Sequence, residues 1–361
     1  MQLFYELLQI AIGTKAGLNR KPADNDWWEA YQMASKQSLV GLLFSAVEKI
    51  NAQDASLKPP IDLFYQWYGE VAEIEQRNKE LNISAHQLYN LFKKDGYRSC
   101  VLKGQGVAQL YPNPERRQPG DIDLWVEGKR DDTVRYLREC GYEMGDVVIH
   151  HVDTKILDGV DTEIHFIPGY SYNPFLHYKM QKFFRKFASE QFGNYDEKVG
   201  FAHPTLRFNA VYILSHIYMH FLYEGIGLRQ VIDYYYVLGN MNDEERKQVR
   251  RDISNVGLEK FAGAVMYVLA ETCAIPEAMM IAAPKNRHGE LLLREIFMGG
   301  NFGKYDERLC NRNADNLISY GFASFKRQIT LIKDYPMEII CVPFWKCTHW
   351  LWRKYKGYLK K

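Results

Sequence analysis

Residues 120–126 read GDIDLWV, which places Asp121 and Asp123 two positions apart in what reads as a strand. Strand side chains alternate between faces, so residues i and i+2 point the same way. Two carboxylates side by side repel unless something positive sits between them. A divalent metal ion resolves that repulsion, and hard oxygen ligands suit Mg²⁺ or Mn²⁺. The plainer reading is a pair of surface acids on an edge strand. D-x-D alone does not separate the two, so the surrounding sequence has to.

Upstream, RSCVLKG (98–104) reads as a short strand ending in Gly104, GVAQLY (106–111) as a short helix and PNPERRQPG (112–120) as a Pro-rich loop. Downstream, KRDDTVRYLRECG (129–141) reads as a helix closed by Gly141. YEMGDVVIHHVD (142–153) and KILDGVDTEIHF (155–166) suggest two more strands, with a turn at Asp158–Gly159 inside the second stretch. The order strand, helix, strand, helix, strand, strand predicts a small mixed sheet flanked by helices.

Helical spacing governs both sides of this core. LFYELLQIAI (3–12), WWEAYQMASKQSLVGLLFSAVEKI (27–50) and a long stretch from Ile61 to a stop at Gly96 carry apolar residues at helical intervals. The pattern returns near Pro204 and continues through GIGLRQVIDYYYVL (225–238) into a largely helical tail from about 315. The expected class is α+β: an N-terminal helical region over 1–97, an α/β core over 98–200 and a C-terminal helical region over 201–361.

Composition narrows the function classes. The 361 residues suffice for two or three subdomains, and 47% apolar with 25% charged residues is ordinary for a globular chain. A formal net charge of +2 gives no general electrostatic grip on nucleic acid, which is therefore not the expected partner. The six cysteines are scattered without a CxxC pair, so neither a zinc ribbon nor a disulfide framework is expected, and a reducing cytoplasm fits. MQLFYELLQIAIG carries Glu6 and lacks a basic start, so a signal peptide is not expected, and no run of about 18 uncharged apolar residues predicts a membrane span.

Lys103–Gly104, Asp121/Asp123 and Glu163 in TEIHF fall within about sixty residues. If the strands pair, three carboxylates face one pocket, which is what two-metal phosphoryl chemistry needs. Gly104 before a helix lets a phosphate approach the backbone, and Lys103 adds a point charge.

LKG, then LYPNPERRQPGDIDLWV, then TEIHF resembles the DNA polymerase β-like nucleotidyltransferase superfamily. The nearer resemblance is to an uncharacterised bacterial nucleotidyltransferase branch. GIGLRQVIDYYYVL matches that branch's downstream helix, and the likeness covers roughly 35–300. The resemblance implies that Asp121, Asp123 and Glu163 bind Mg²⁺ or Mn²⁺, with Glu163 a ligand or the base for the acceptor. It places Lys103 and Gly104 at the triphosphate, makes Arg117 a phosphate or loop-anchoring residue, and sets Arg229 and Asp233 on one face of a cleft-lining helix. Gly104-Gln105-Gly106 stands where the wider superfamily has Gly-Gly or Gly-Ser, and Glu163 replaces the more frequent Asp.

The resulting expectation is a metal-dependent enzyme that moves a nucleoside monophosphate from an NTP to a hydroxyl or phosphate acceptor, a small molecule or a protein. The alternative is an inactive nucleotide-binding or scaffold protein that keeps the fold. Blander readings stand beside each residue. Lys103 can be a solvated strand end, Arg117 a loop brace, and Arg229–Asp233 an intrahelical ion pair. LSHIYMH is not HExxH, so His216 and His220, with His150, His151 and His165, read as core or cleft-lining residues; His165 shares the face of Glu163. The aromatic and basic tail reads as Trp residues packed on the body with solvated lysines; contact with a membrane surface is the reading not favoured.

Overall fold

The computed structural model describes residues 1–309 and 325–358. Four helices come first: α1 Gln2–Ile12, α2 Asp24–Gln37, α3 Val40–Gln53 and α4 Ile61–Lys94. The stretch 27–50 is two helices, because Ser38 takes a left-handed backbone (φ 57°) that ends α2. The core follows with β1 Ser99–Val101, α5 Lys103–Ala108, β2 Ile122–Val126, α6 Arg130–Glu139, β3 Glu143–Val147, β4 His151–Lys155 and β5 Thr162–His165. Next come α7 Pro174–Gly193 and a small hairpin, β6 Tyr195–Asp196 and β7 Phe201–Ala202. Further helices are α8 Leu206–Tyr223, α9 Leu228–Gly239, α10 Asp243–Val256, α11 Glu259–Cys273, α12 Asn286–Gly299 and α13 Pro336–Lys356.

The molecule is α+β: a mixed five-stranded sheet flanked by helices. Strand order is β1-β2-β5-β4-β3. β2 and β5 run parallel; the other neighbours are antiparallel. Alternation sorts the side chains. Val101, Ile122, Leu124, Ile164 and Val152 share one face, buried against Leu81, Ala85, Leu88 and Phe92 of α4 and Val134 and Leu137 of α6. The other face carries Asp123, Glu163, His165 and His151, with Trp125 packed on Phe192 of α7 and Phe208 of α8.

α4 ties this sheet to the helical body. Its buried positions, Leu63, Trp67, Val71, Ile74, Asn78, Leu81, Ala85, Leu88 and Phe92, step by three and four along 34 residues. The first half packs into the large helical core and the second half against the sheet. Asn78, at the join, donates its side-chain amide to the backbone oxygens of Glu115 (2.6 Å) and Arg117 (2.8 Å) and so fixes the Pro-rich loop.

The core departs from the sequence expectation in four places. Three strands follow α6, because the Val148 N–H donates to the His151 carbonyl (3.0 Å) and reverses the chain inside the stretch read as one strand. Asp121 precedes β2: the ladder starts at Ile122, whose N–H donates to the Asp161 carbonyl (3.1 Å). The short helix begins earlier, at Lys103, and ends at Ala108. α7 and the β6–β7 hairpin occupy a stretch to which sequence periodicity assigned no element. Of the helical tail expected from about 315, residues 315–324 and 359–361 lie outside the described residues.

Candidate active site

The parallel pairing of β2 and β5 builds the site. Asp123 is the register partner of Glu163, and Trp125 that of His165. Antiparallel β4 adds Asp153 beside Glu163 and His151 beside His165. Asp121, at the mouth of β2, completes a group in which Asp121, Asp123 and Glu163 bring carboxylate oxygens within 4.8 Å of one another. Asp121 is exposed, Glu163 half-buried and Asp123 buried.

Positive groups answer this charge. Lys103 Nζ lies 2.7 Å from Asp123 Oδ1. His165 Nε2 lies 2.9 Å from the same oxygen and 3.1 Å from Glu163 Oε2. A ring nitrogen facing two carboxylate oxygens is protonated or metal-bound, since a bare lone pair there would be repelled. Burial alone would lower the His165 pKa, but its hydrogen bonds to Asp123 and Glu163 carry it up to about 9. Burial alone would raise the Glu163 carboxyl, yet the His165 hydrogen bond and the Lys103 charge hold it at about 2. Burial likewise disfavours the Lys103 ammonium, and Asp123 chiefly, with Tyr212, Glu163 and Asp121, overrides it and raises the group well above its ordinary value.

The turn that delivers Lys103 is unusual. Lys103 has φ 31° and Gly104 φ 37°, both in the left-handed region that bulky residues avoid. Such conformations persist where neighbours over-determine them. Here Gly106 is the clamp: a Cβ on it would lie 2.4 Å from the Val101 carbonyl oxygen, so only glycine lets α5 pack this closely on β1.

Arg117 and Asp233 sit at one edge. Arg117 Nε and Nη2 each donate to an Asp233 carboxylate oxygen at 2.8 Å, and the Tyr111 hydroxyl adds a third bond at 2.7 Å. Of the two roles the sequence allows Arg117, these are loop-anchoring contacts. The intrahelical Arg229–Asp233 ion pair, the blander reading of these two residues, is not made, because Asp233 points across to the loop. Arg229 donates weakly to the Gln118 and Pro119 carbonyls (3.4 Å each), lies over the Phe302 ring and leaves its buried Nε without a partner among the described residues. Burial and the neighbouring Arg117 push its pKa down to about 10. Asp233 and Asp121 oppose that shift from a distance, but among the described residues Arg229 makes no ion pair.

Two hollows meet at the carboxylates. A small one, about 40 Å³, is lined by Lys103, Gly104, Asp121, Asp123, Arg229 and Phe302 among others. A larger one, about 170 Å³, lies on the other side of Lys103 and Asp121, between the sheet and α8, walled by His150, His151, Tyr170, Tyr212, His216 and His220. All five singled-out histidines therefore line one cleft. His150 and His216 are neutral: burial pushes both well below the ordinary range, helped by His151 and Lys103 respectively.

A family described as uncharacterised nucleotidyltransferase matches residues 23–274, from α2 through α11. The chain belongs to this uncharacterised nucleotidyltransferase family. The match spans the whole sheet, the Arg117 loop and the Arg229 helix, and begins and ends somewhat before the 35–300 expected. No curated protein matches. In this chain, the residues to which sequence reasoning gave no chemical role are His151, 3.3 Å from Glu163 Oε2, and Tyr111, which completes the Arg117–Asp233 anchor. The HH dipeptide at 150–151 was the available signal for the first; nothing local announced the second.

The three carboxylates fit a divalent ion: hard oxygens from two adjacent strands and the residue that leads into one of them, converging beside a buried lysine. A second grouping, His151, Glu163 and His165, shares Glu163.

Proposed function

We propose that this chain transfers a nucleoside monophosphate from an NTP to a hydroxyl or phosphate acceptor, with Asp121, Asp123 and Glu163 holding Mg²⁺ or Mn²⁺, in the manner of the DNA polymerase β-like superfamily. The observation that carries the reading is the convergence of those three carboxylates at the head of two parallel strands. An acceptor oxygen attacks the α-phosphorus, the bond from that phosphorus to the α,β-bridging oxygen breaks, and pyrophosphate leaves. When bound, the ions polarise the reacting oxygens and offset the charge that builds on the leaving pyrophosphate.

The protein's own residues do the rest. Arg229, buried and short of partners, binds a donor phosphate, and Lys103 turns from Asp123 to another. Glu163, held at about 2, is a ligand rather than a proton acceptor. His151, beside it and open to the larger hollow, takes the acceptor proton. The neutral rings of His150 and His216 and the tyrosines of that hollow offer hydrogen bonds to an acceptor without adding charge. The size of the hollow favours a small molecule or one protein side chain over a nucleic-acid strand.

One observation favours the second reading, a nucleotide-binding protein without turnover. Asp123 Oδ1 is already engaged by two cations, Lys103 and His165. The two readings part on one experiment. Pyrophosphate release is followed for each NTP with Mg²⁺ or Mn²⁺, using a metabolite extract and a protein lysate as acceptor sources, for wild type and Asp121→Asn. Release that depends on the acceptor source and is lost in the variant supports the enzyme. NTP binding without release in either source supports the scaffold.

A further inference from the structure

Among the described residues, α13 is seated by one side only. Its inner face packs Ile339 and Val342 into the helical core, stacks Trp345 on Tyr170 (5.8 Å, 25° between rings) and sets Trp352 under the Arg130 guanidinium (4.4 Å). The outer face is apolar as well. Ile340, Phe344, Leu351 and Tyr355 recur at helical spacing along one stripe, with Phe344 75% and Tyr355 87% exposed. Ile329 and Ile332, also exposed, precede it on the chain. A stripe of large apolar side chains on an already docked helix is not explained by folding, and contiguous patches of this kind mark interaction surfaces.

Charge says what covers it. Residues 325–361 hold nine Lys or Arg against two Asp or Glu, while the rest of the chain holds 37 against 42. Within this basic tail Arg353 and Lys356 are engaged by Asp146 and Asp131. Lys333 and Lys354 are exposed and make no ion pair among the described residues. Lys354 borders the stripe and lies over the Trp350 ring at 5.3 Å, an aromatic–cation edge of the type that sits at a lipid headgroup boundary. A second copy of the same tail would bring like charges together, and a nucleic acid would leave the aliphatic Ile340 and Leu351 unused. An anionic bilayer satisfies both the stripe and the lysines. No described helix is long and apolar enough to cross a membrane, so the helix lies on the surface rather than through it.

We propose that the outer face of α13 docks this protein on anionic lipid membranes, with Phe344 and Leu351 entering the acyl boundary and Lys333 and Lys354 meeting headgroup phosphates.

The test is flotation of the full chain with vesicles of phosphatidylcholine alone, or with about one-third phosphatidylglycerol. Two double variants accompany wild type: Phe344→Ser/Leu351→Ser and Lys333→Gln/Lys354→Gln. All four positions are exposed, and thermal unfolding checks that each variant folds. The expected result is flotation of wild type with the anionic vesicles only, weakened about tenfold or more in each variant and by high salt. Three results would overturn the proposal: no flotation of wild type, flotation equal in wild type and both variants, or an oligonucleotide or a concentration-dependent dimer that engages the stripe while vesicles do not. Should one variant fail to fold, the other decides.

Discussion

Asp123 and Glu163 are direct register partners on the sheet's one parallel strand pair, forty residues apart in sequence and joined through the ring of His165. That relationship turns a D-x-D pattern into a three-carboxylate cluster. It also explains why Lys103 sits where it does: with two carboxylates fixed on adjacent strands, the left-handed Lys103 turn brings an ammonium onto the more buried of them.

The first prediction concerns pH. In metal-free protein, His165 has its pKa raised to about 9, so its contribution to stability is full below its ordinary value near 6.5 and is lost as pH rises through 9. Glu163 has its pKa lowered to about 2, so its contribution is full above its ordinary value near 4.5 and is lost as pH falls toward 2. These two groups therefore give a plateau between about pH 4.5 and 6.5 that falls on both sides. Urea midpoints across pH check it, and His165→Gln flattens the alkaline limb.

Asp233→Ala leaves the Arg117 guanidinium buried without its counter-charge, which costs about 3–5 kcal/mol. Both partners are buried and the contact is bidentate, so solvent screening does little to soften the loss. Equilibrium urea unfolding measures it. Metal binding at Asp121 and Asp123 persists in the variant, because the anchor touches neither carboxylate.

Arg229→Met acts the other way. Arg229 is buried with no carboxylate partner among the described residues, so a neutral side chain of similar length leaves the thermal midpoint unchanged or raises it. The same change weakens NTP binding about tenfold or more through loss of a charge-assisted phosphate contact. A titration calorimeter and a melting curve on one preparation show both effects. A variant that melts much lower would mean Arg229 braces the loop and does not await an anion.

Gly106→Ala drives a methyl group to 2.4 Å from the Val101 carbonyl oxygen, so β1 and α5 must part. The cost is about 1–3 kcal/mol, and the Lys103 turn shifts with it. Denaturant unfolding gives the first number, and NTP affinity reports the second.

The three carboxylates were legible in the sequence because their signals are local: a two-residue spacing, a strand and a following acid. The parallel β2–β5 pairing that unites them is non-local, and only the resemblance of the surrounding motifs suggested it. Arg229 and Asp233 show the limit most clearly. At i,i+4 on one helix they read as two cleft-lining residues or as an ion pair, yet Asp233 is claimed by Arg117, 116 positions earlier, and Arg229 alone is left to the cleft. The chain reversal at Val148–His151 was hidden because it contains no Gly, Pro, Asn or Asp to mark a turn. That reversal is what places His151 against Glu163.

The most direct test of the central claim is a thermal-unfolding panel with ATP, CTP, GTP and UTP, each with and without Mg²⁺, on wild type and Asp121→Asn/Asp123→Asn. A ligand that binds the native state alone raises the midpoint by mass action. The account predicts that at least one nucleotide raises the wild-type midpoint only when the metal is present, and that the double variant shows no such shift. An equal shift in both proteins, or one indifferent to metal, would contradict a metal-dependent nucleotide site at GDIDLWV.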